Sequence, residues 1–143
     1  MGGKSDAALK RAGRLADGFF ASFQTPQEFG ASMAKIHDYA AGYGRANAHI
    51  ESGLILLCRI APTRKKALEE MQPMLAAMGR GAEQFLERSV YGSAEDVFAR
   101  LSEYVAQGLD KFVLWPIAEP AAWPQQIELV GREIASHYNA RAA

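Results

Sequence analysis

The residues with the clearest chemical potential stand near the start of the chain, in Gly2-Gly3-Lys4-Ser5. A glycine turn running into a helix offers unpaired amides and the positive end of the helix dipole to an anion, and Lys4 and Ser5 add a charge and a hydroxyl. Phosphate contact is the sharp reading; the plain one is a tail in which Ser5 only caps the helix. The string is not a P-loop, because the first glycine of that motif and a strand ahead of it are missing. Arg59 follows Cys58 near the end of an apolar run, and Trp115 ends a second run, which are positions where β/α enzymes place their sites. A guanidinium in an apolar run needs an anion, a carboxylate or water. Cys58 and Trp115 are better explained as core packing.

Other chemistry finds less support. His37, His49 and His137 share no metal spacing and no HExxH pattern, so they read as surface histidines. No Gly-x-Ser-x-Gly elbow supports nucleophilic hydrolysis. Met71, Met74 and Met78 read as packing. Arg64-Lys65-Lys66 sits in the first turn of a helix and opposes its dipole, which suits a solvated basic cluster before an anion site.

The elements that must position these residues follow from composition and pattern. With 143 residues the chain is read as a single domain over 1–143. Sixteen Lys and Arg balance sixteen Asp and Glu, which argues against gathering nucleic acid or anionic membrane. A lone cysteine forms no internal disulfide and suits a reducing compartment. The start of the chain lacks the pattern of a secretory signal, and no apolar run approaches the ~18 residues of a membrane span, so a cytoplasmic protein is expected. Only the residues after Tyr138 look prone to disorder.

Ser5 and Asp6 predict a helix over 6–16, and Asp17-Gly18 turns the chain into a short buried strand at 19–21. Thr25-Pro26-Gln27-Glu28 is a capping box with proline in the first turn, followed by Phe29, Met33, Ile36 and Ala40 at helical spacing. The run 54–60 is apolar on both faces apart from Arg59, as in a strand covered on both sides. A helix from Pro62-Thr63 carries Leu68, Met71, Leu75 and Met78, with Pro73 expected to kink or split it. A short helix is expected near 82–87. Gly92-Ser93-Ala94-Glu95-Asp96 opens the next helix, with Val97, Leu101, Tyr104 and Val105 inward and Gly108 past its end. A strand over 111–115 and a helix from Pro124 with Ile127, Val130, Ile134 and Tyr138 on one face complete the order. Three strands alternating with helices mean an α/β fold of parallel β/α units.

Gly2-Gly3-Lys4-Ser5, Lys10-Arg11-Ala12-Gly13-Arg14-Leu15, Ala16-Asp17-Gly18-Phe19, Gly92-Ser93-Ala94-Glu95-Asp96-Val97 and the stretch from Tyr104 to Leu114 together resemble the C-terminal part of the bacterial luciferase-like monooxygenases. The resemblance implies an incomplete (β/α)8 (TIM) barrel, since a whole one usually takes ~250 residues. It also implies a flavin (FMN) or deazaflavin cofactor, with Gly2, Gly3, Lys4 and Ser5 beside the cofactor phosphate; Arg59 joins them as a candidate cofactor contact. No catalytic residue carries over, because the upstream half of the family's site has no counterpart here. The expected function is the C-terminal segment of an oxidoreductase or monooxygenase, not competent alone, with the cofactor expected where the barrel is complete and not in this chain by itself, acting on an unidentified small molecule. The alternative is a non-catalytic homo-oligomeric module. Three parallel strands leave edges that need cover, so a homodimer burying roughly 2,000 Å² or more is expected.

Overall fold

The computed structural model describes residues 1–138, which form two compact units. The first comprises Met1–Leu56 and Ser102–Val113. Its opening helix, α1 (Asp6–Leu15), begins where the Ser5 hydroxyl accepts from the Ala8 amide at 3.2 Å, and it buries Ala8, Leu9, Ala12 and Gly13. Its far end is closed by Arg45, whose guanidinium donates to the carbonyls of Gly13 at 2.9 Å and Ala16 at 2.8 Å, placing a cation where the helix presents free carbonyls. β1 (Gly18–Ser22) leads to α2 (Pro26–Gly42). The capping box forms as expected: Thr25 Oγ1 accepts from the Glu28 amide at 3.2 Å, and the Glu28 carboxylate accepts from the Thr25 amide at 2.8 Å. Phe29, Met33, Ile36 and Ala40 all point into the core. Replacing Thr25 with alanine is expected to cost ~1 kcal/mol, read as a lower midpoint in urea at unchanged slope.

The first part of β2 (Glu51–Ile60) pairs in parallel with β1, from Gly18 against Glu51 to Ser22 against Ile55. Met1 lies along the other edge of β1: its amino group donates to the Gly18 carbonyl at 2.8 Å, and the Phe20 amide donates to the Met1 carbonyl at 2.6 Å. Two further ties close this unit. Tyr104, fully buried, donates its hydroxyl to the Gln24 carbonyl at 2.9 Å, and Asp110 accepts from the amide and hydroxyl of Ser52 at 2.7 and 2.9 Å. Alternation along the strands sorts the sheet into two faces. Phe19, Ala21, Leu54 and Leu56 are buried, whereas Phe20 and Val113 keep 43% and 47% of their surface exposed.

The second unit comprises Leu57–Leu101 and the described residues from Leu114 onward. Here the end of β2 pairs in parallel with β3 (Ser89–Gly92), from Leu57 against Ser89 to Ile60 against Gly92. α3 (Arg64–Met78) and α4 (Ala82–Glu87) precede β3, and α5 (Ala94–Ala106) follows it. Ala61, Ala67, Met71, Leu75, Tyr91 and Ile117 form one core, with Leu57, Met74 and Phe85 packed against it. β4 (Lys111–Pro116) also pairs with β2. Asp110 meets Ser52 before β4, and the Ile117 amide donates to the Cys58 carbonyl at 2.7 Å after it, so β4 runs in the same direction as β2. The class is α/β, built of parallel β/α units as expected.

Several expectations are corrected. There are four strands among the described residues, not three: β3 adds to the expected set, since four residues with a serine, a tyrosine and a glycine carry little strand signal. Pro73 does not split α3, because the missing amide falls on an exposed part of the helix. Met78 and Val105 are exposed. In the last helix, α6 (Trp123–Leu129) runs into a π-turn over Val130–Ala135, with the Ser136 amide bonded to the Gly131 carbonyl. Ile127 is therefore out and Gln126 is in, because the Gln126 amide side chain matches the backbone of Ile60 on both counts: it donates to the carbonyl at 2.9 Å and accepts from the N–H at 3.0 Å. The stretch after Tyr138 lies outside the described residues.

Candidate functional site

The turn ahead of α1 is shaped by contacts that only glycine permits. A Cβ on Gly2 would fall 2.7 Å from the Phe20 carbonyl oxygen, and Gly3 adopts φ of +120° with its Cβ position 2.9 Å from Ala8 Cβ. The amides of Asp6 and Ala7 precede the first residues bonded to the Ser5 carbonyl, Ala8 and Leu9, so the helix itself offers them no acceptor. Lys4 Nζ donates to the Phe23 carbonyl at 2.5 Å, which holds the ammonium just past the C-terminal end of β1. The turn thus sits at the strand end where open α/β sheets bind ligands.

Beside it lies a cavity of about 300 Å³ lined by Lys4, Leu9, Gln24, Glu28, Ser32 and Lys35 among others. Gln24 is 5% exposed, although nothing in its sequence neighbourhood marks it as buried. Its amide nitrogen donates to Ser32 Oγ at 2.9 Å, and that hydroxyl donates on to the Glu28 carbonyl at 2.9 Å. Its Oε1 is buried with no partner. An acceptor in that state costs free energy unless a donor such as a hydroxyl reaches it.

Arg59 belongs to the second unit, and the question of its counter-charge has a definite answer. Its Nε donates to Glu70 Oε2 at 2.9 Å, Nη2 reaches the same oxygen, and Nη1 donates to the Ile117 carbonyl at 3.1 Å. The carboxylate comes from α3, eleven residues on. This pair forms part of the wall of a cavity of about 410 Å³, completed by Pro62, Ser93, Gln126, Leu129 and Glu133 among others. The cavity opens at the C-terminal end of β2 and at the start of α5, where Ser93 and Asp96 cap each other.

The remaining candidates are placed plainly. Trp115 packs edge-on against Trp123 with ring centroids 6.1 Å apart, and half of it stays exposed. His37, His49 and His137 are on the surface. Arg64 stacks over the Tyr91 ring at 4.5 Å, while Lys65 and Lys66 pair with Glu69 and Glu70 one turn on. Among the described residues, no three His, Cys, Asp or Glu side chains are grouped to hold a metal, and no helix is long and apolar enough to cross a membrane.

Cys58 is fully buried, and burial pushes its thiol from the ordinary 9.0 up to about 12, with the Arg59 charge opposing the rise. Below pH 9.0 the thiol is protonated in both folded and unfolded chains, and its contribution to stability is complete. Between 9.0 and about 12 only the unfolded chain ionises, so stability is expected to fall as pH rises through that window. Thiol labelling at pH 8 should accordingly proceed at the rate of unfolding; immediate labelling of the native protein would contradict the burial.

Comparison with known proteins follows the same lines. The family model described as luciferase-like monooxygenase matches residues 1–108. No curated protein sequence matches the chain. Among solved structures, the coenzyme F420 dependent tetrahydromethanopterin reductase from Methanopyrus kandleri is similar, with 22% identity, 96% of this chain and 50% of that one covered, and a TM-score of 0.74. A riboflavin lyase solved with modified FMN and riboflavin has 16% identity over 99% of this chain and 42% of its own, with a TM-score of 0.73. A long-chain alkane monooxygenase has 17% identity over 95% and 40%, with a TM-score of 0.69. The chain spans half or less of the length of these three structures, and its fold is a part of their β/α barrel. The sequence resemblance is borne out, and with 108 of 143 residues inside the matched region the chain belongs to the luciferase-like monooxygenase family.

Proposed function

We propose that this chain supplies the phosphate-holding part of a flavin- or deazaflavin-dependent oxidoreductase, with Gly2, Gly3, Lys4 and Ser5 as the phosphate contacts. The observation that carries the reading is the glycine cradle against Phe20, which leaves the α1 amides and the Lys4 ammonium at one strand end. The orphaned Gln24 Oε1 fits the same ligand, since a sugar-alcohol chain next to a phosphate brings hydroxyl donors. The names of the similar structures, one dependent on coenzyme F420 and one solved with modified FMN, point to the same cofactor class. Such a cofactor, when bound, supplies hydride transfer or, for reduced flavin, reaction with dioxygen. The residues here would hold its phosphate and keep one side of it dry. Arg59 enters this reading as part of a cavity wall, its charge already matched by Glu70.

Calorimetric titration of the 143-residue chain with FMN and with riboflavin tests this directly. FMN is expected to bind at least ~10-fold more tightly, about 1.4 kcal/mol, through the charge-assisted bonds to its phosphate. Lys4→Ala should remove most of that difference and leave riboflavin binding unchanged. Equal affinity for the two ligands would refute the phosphate assignment.

A further inference from the structure

The passage from β1 into α2 takes three residues, Phe23-Gln24-Thr25, and the first of them is in an unusual state. Phe23 has φ of +53°, the one positive value among the described residues that does not belong to a glycine. In that region Cβ crowds the backbone, so a bulky aromatic residue is strained where glycine would be at ease. Its neighbours hold it there. Ser22 is registered against Ile55 of β2, Gln24 is fixed by the bond from the buried Tyr104 hydroxyl to its carbonyl and by its own bond to Ser32, and Thr25 caps α2. The Phe23 carbonyl accepts from Lys4 Nζ at 2.5 Å. These ties account for the backbone and not for the phenyl group, since none of them involves the ring and glycine could form them all. Strained residues that their surroundings over-determine collect at ligand sites.

We infer that Phe23 is a further binding residue of the site, its ring laid against the flat ring system of the ligand whose phosphate the Gly2–Ser5 turn holds; the identity of that ligand rests on the cofactor assignment above. Lys4 is the cation given to the phosphate, and it already touches the Phe23 carbonyl, so the phenyl group stands within one side chain's length of that anion. A flavin or deazaflavin carries an anion and a flat ring system on one molecule, and a site for it needs a contact of each kind. The turn and Lys4 supply the first. An aromatic side chain supplies the second well, because it offers a flat apolar face, meets another ring in offset or edge-on contact, and has only two torsions to fix. The Phe23 ring keeps 45% of its surface exposed, which leaves it able to receive such a neighbour. All of these residues lie within the first unit, so the assignment is the same for the chain alone and for the chain as part of a longer polypeptide.

Calorimetric titration of the 143-residue chain and two variants reads the result, with FMN, riboflavin, inorganic phosphate and lumiflavin, which is the same ring bearing a methyl group in place of the sugar-alcohol chain. Phe23→Gly should weaken all three flavins ~10-fold, leave the ratio of FMN to riboflavin affinity where it is, and leave inorganic phosphate unaffected. Phe23→Tyr keeps the ring and should stay within ~2-fold of the parent for each flavin. The glycine variant should also melt no lower than the parent, since glycine adopts a positive φ without strain. A ring that served packing alone would show the reverse, a lower melting temperature with riboflavin and lumiflavin affinities unchanged, and that result would overturn the inference. A tyrosine variant as weak as the glycine one would overturn it too. Failure of the phosphate assignment reads differently: FMN and riboflavin then bind the parent equally, while Phe23→Gly still weakens both. A chain that binds none of the three flavins overturns the two assignments together.

Discussion

Gly13→Val should lower the stability of the protein by about 3 kcal/mol, even though valine is the better helix former by several tenths of a kcal/mol. The reason is the approach of α1 to α2. A Cβ at position 13 would lie 2.5 Å from the Ile36 carbonyl oxygen, 2.7 Å from Tyr39 Cβ and 2.9 Å from the Ala40 amide nitrogen. Two of those three atoms are backbone and cannot swing aside, so the helices must part and the buried stripe of Ala8, Leu9 and Ala12 must part with them. Gly13→Ala carries the same first carbon and should fall between the two. Thermal melts of the three proteins check the order, at roughly 3 °C per kcal/mol for a chain of this size. A valine variant as stable as the parent would mean that α1 does not pack at this distance.

Removing the carboxylate of Glu70 should cost about 2 kcal/mol, with Glu70→Ala and Arg59→Met read separately and together. Arg59 retains 13% of its side-chain surface and Glu70 retains 29%, so water reaches the pair and the figure is set below that of a fully buried one. The single change at Glu70 strands a guanidinium whose remaining bond runs to the Ile117 carbonyl. The double variant removes both charges and should recover a good part of the loss, because an apolar pair in that position needs no counter-charge. Additive costs in urea unfolding would show that the two side chains act independently and that the bond is of no account.

Local physics made much of this fold legible in the sequence. The capping box at Thr25 and the stripe Phe29, Met33, Ile36 and Ala40 are set within a few residues of one another, and the structure follows them closely. Gly108, at φ of +85° just after α5, is legible for the same reason. What could not be read depends on partners far along the chain. Arg59 visibly needed an anion, but nothing in the pattern singled out Glu70 among sixteen acidic residues. Gln126 looks like a surface residue until its amide meets the backbone of Ile60, sixty-six positions away, and that match displaces Ile127 from the inward face. Gln24 is missed in the same way: its burial follows from Tyr104 and Ser32, and only its orphaned oxygen marks it as part of a site.

The π-turn at Val130–Ala135 bears on how this helix can change in length. Gln126 and Ile134 are both buried, yet eight residues of ordinary α-helix would rotate one about 80° from the other. Residues in a π-turn advance by a smaller angle, so the wide turn brings the two side chains back into line. Seven residues of α-helix make nearly two whole turns and achieve the same alignment. A chain lacking one residue here, Gly131 for instance, could relax to a regular helix and still present the same glutamine and isoleucine to the core. Relatives of this protein that differ by a single-residue gap at this point would then share its packing, whereas an equal gap in α2 would turn every following side chain by about 100°.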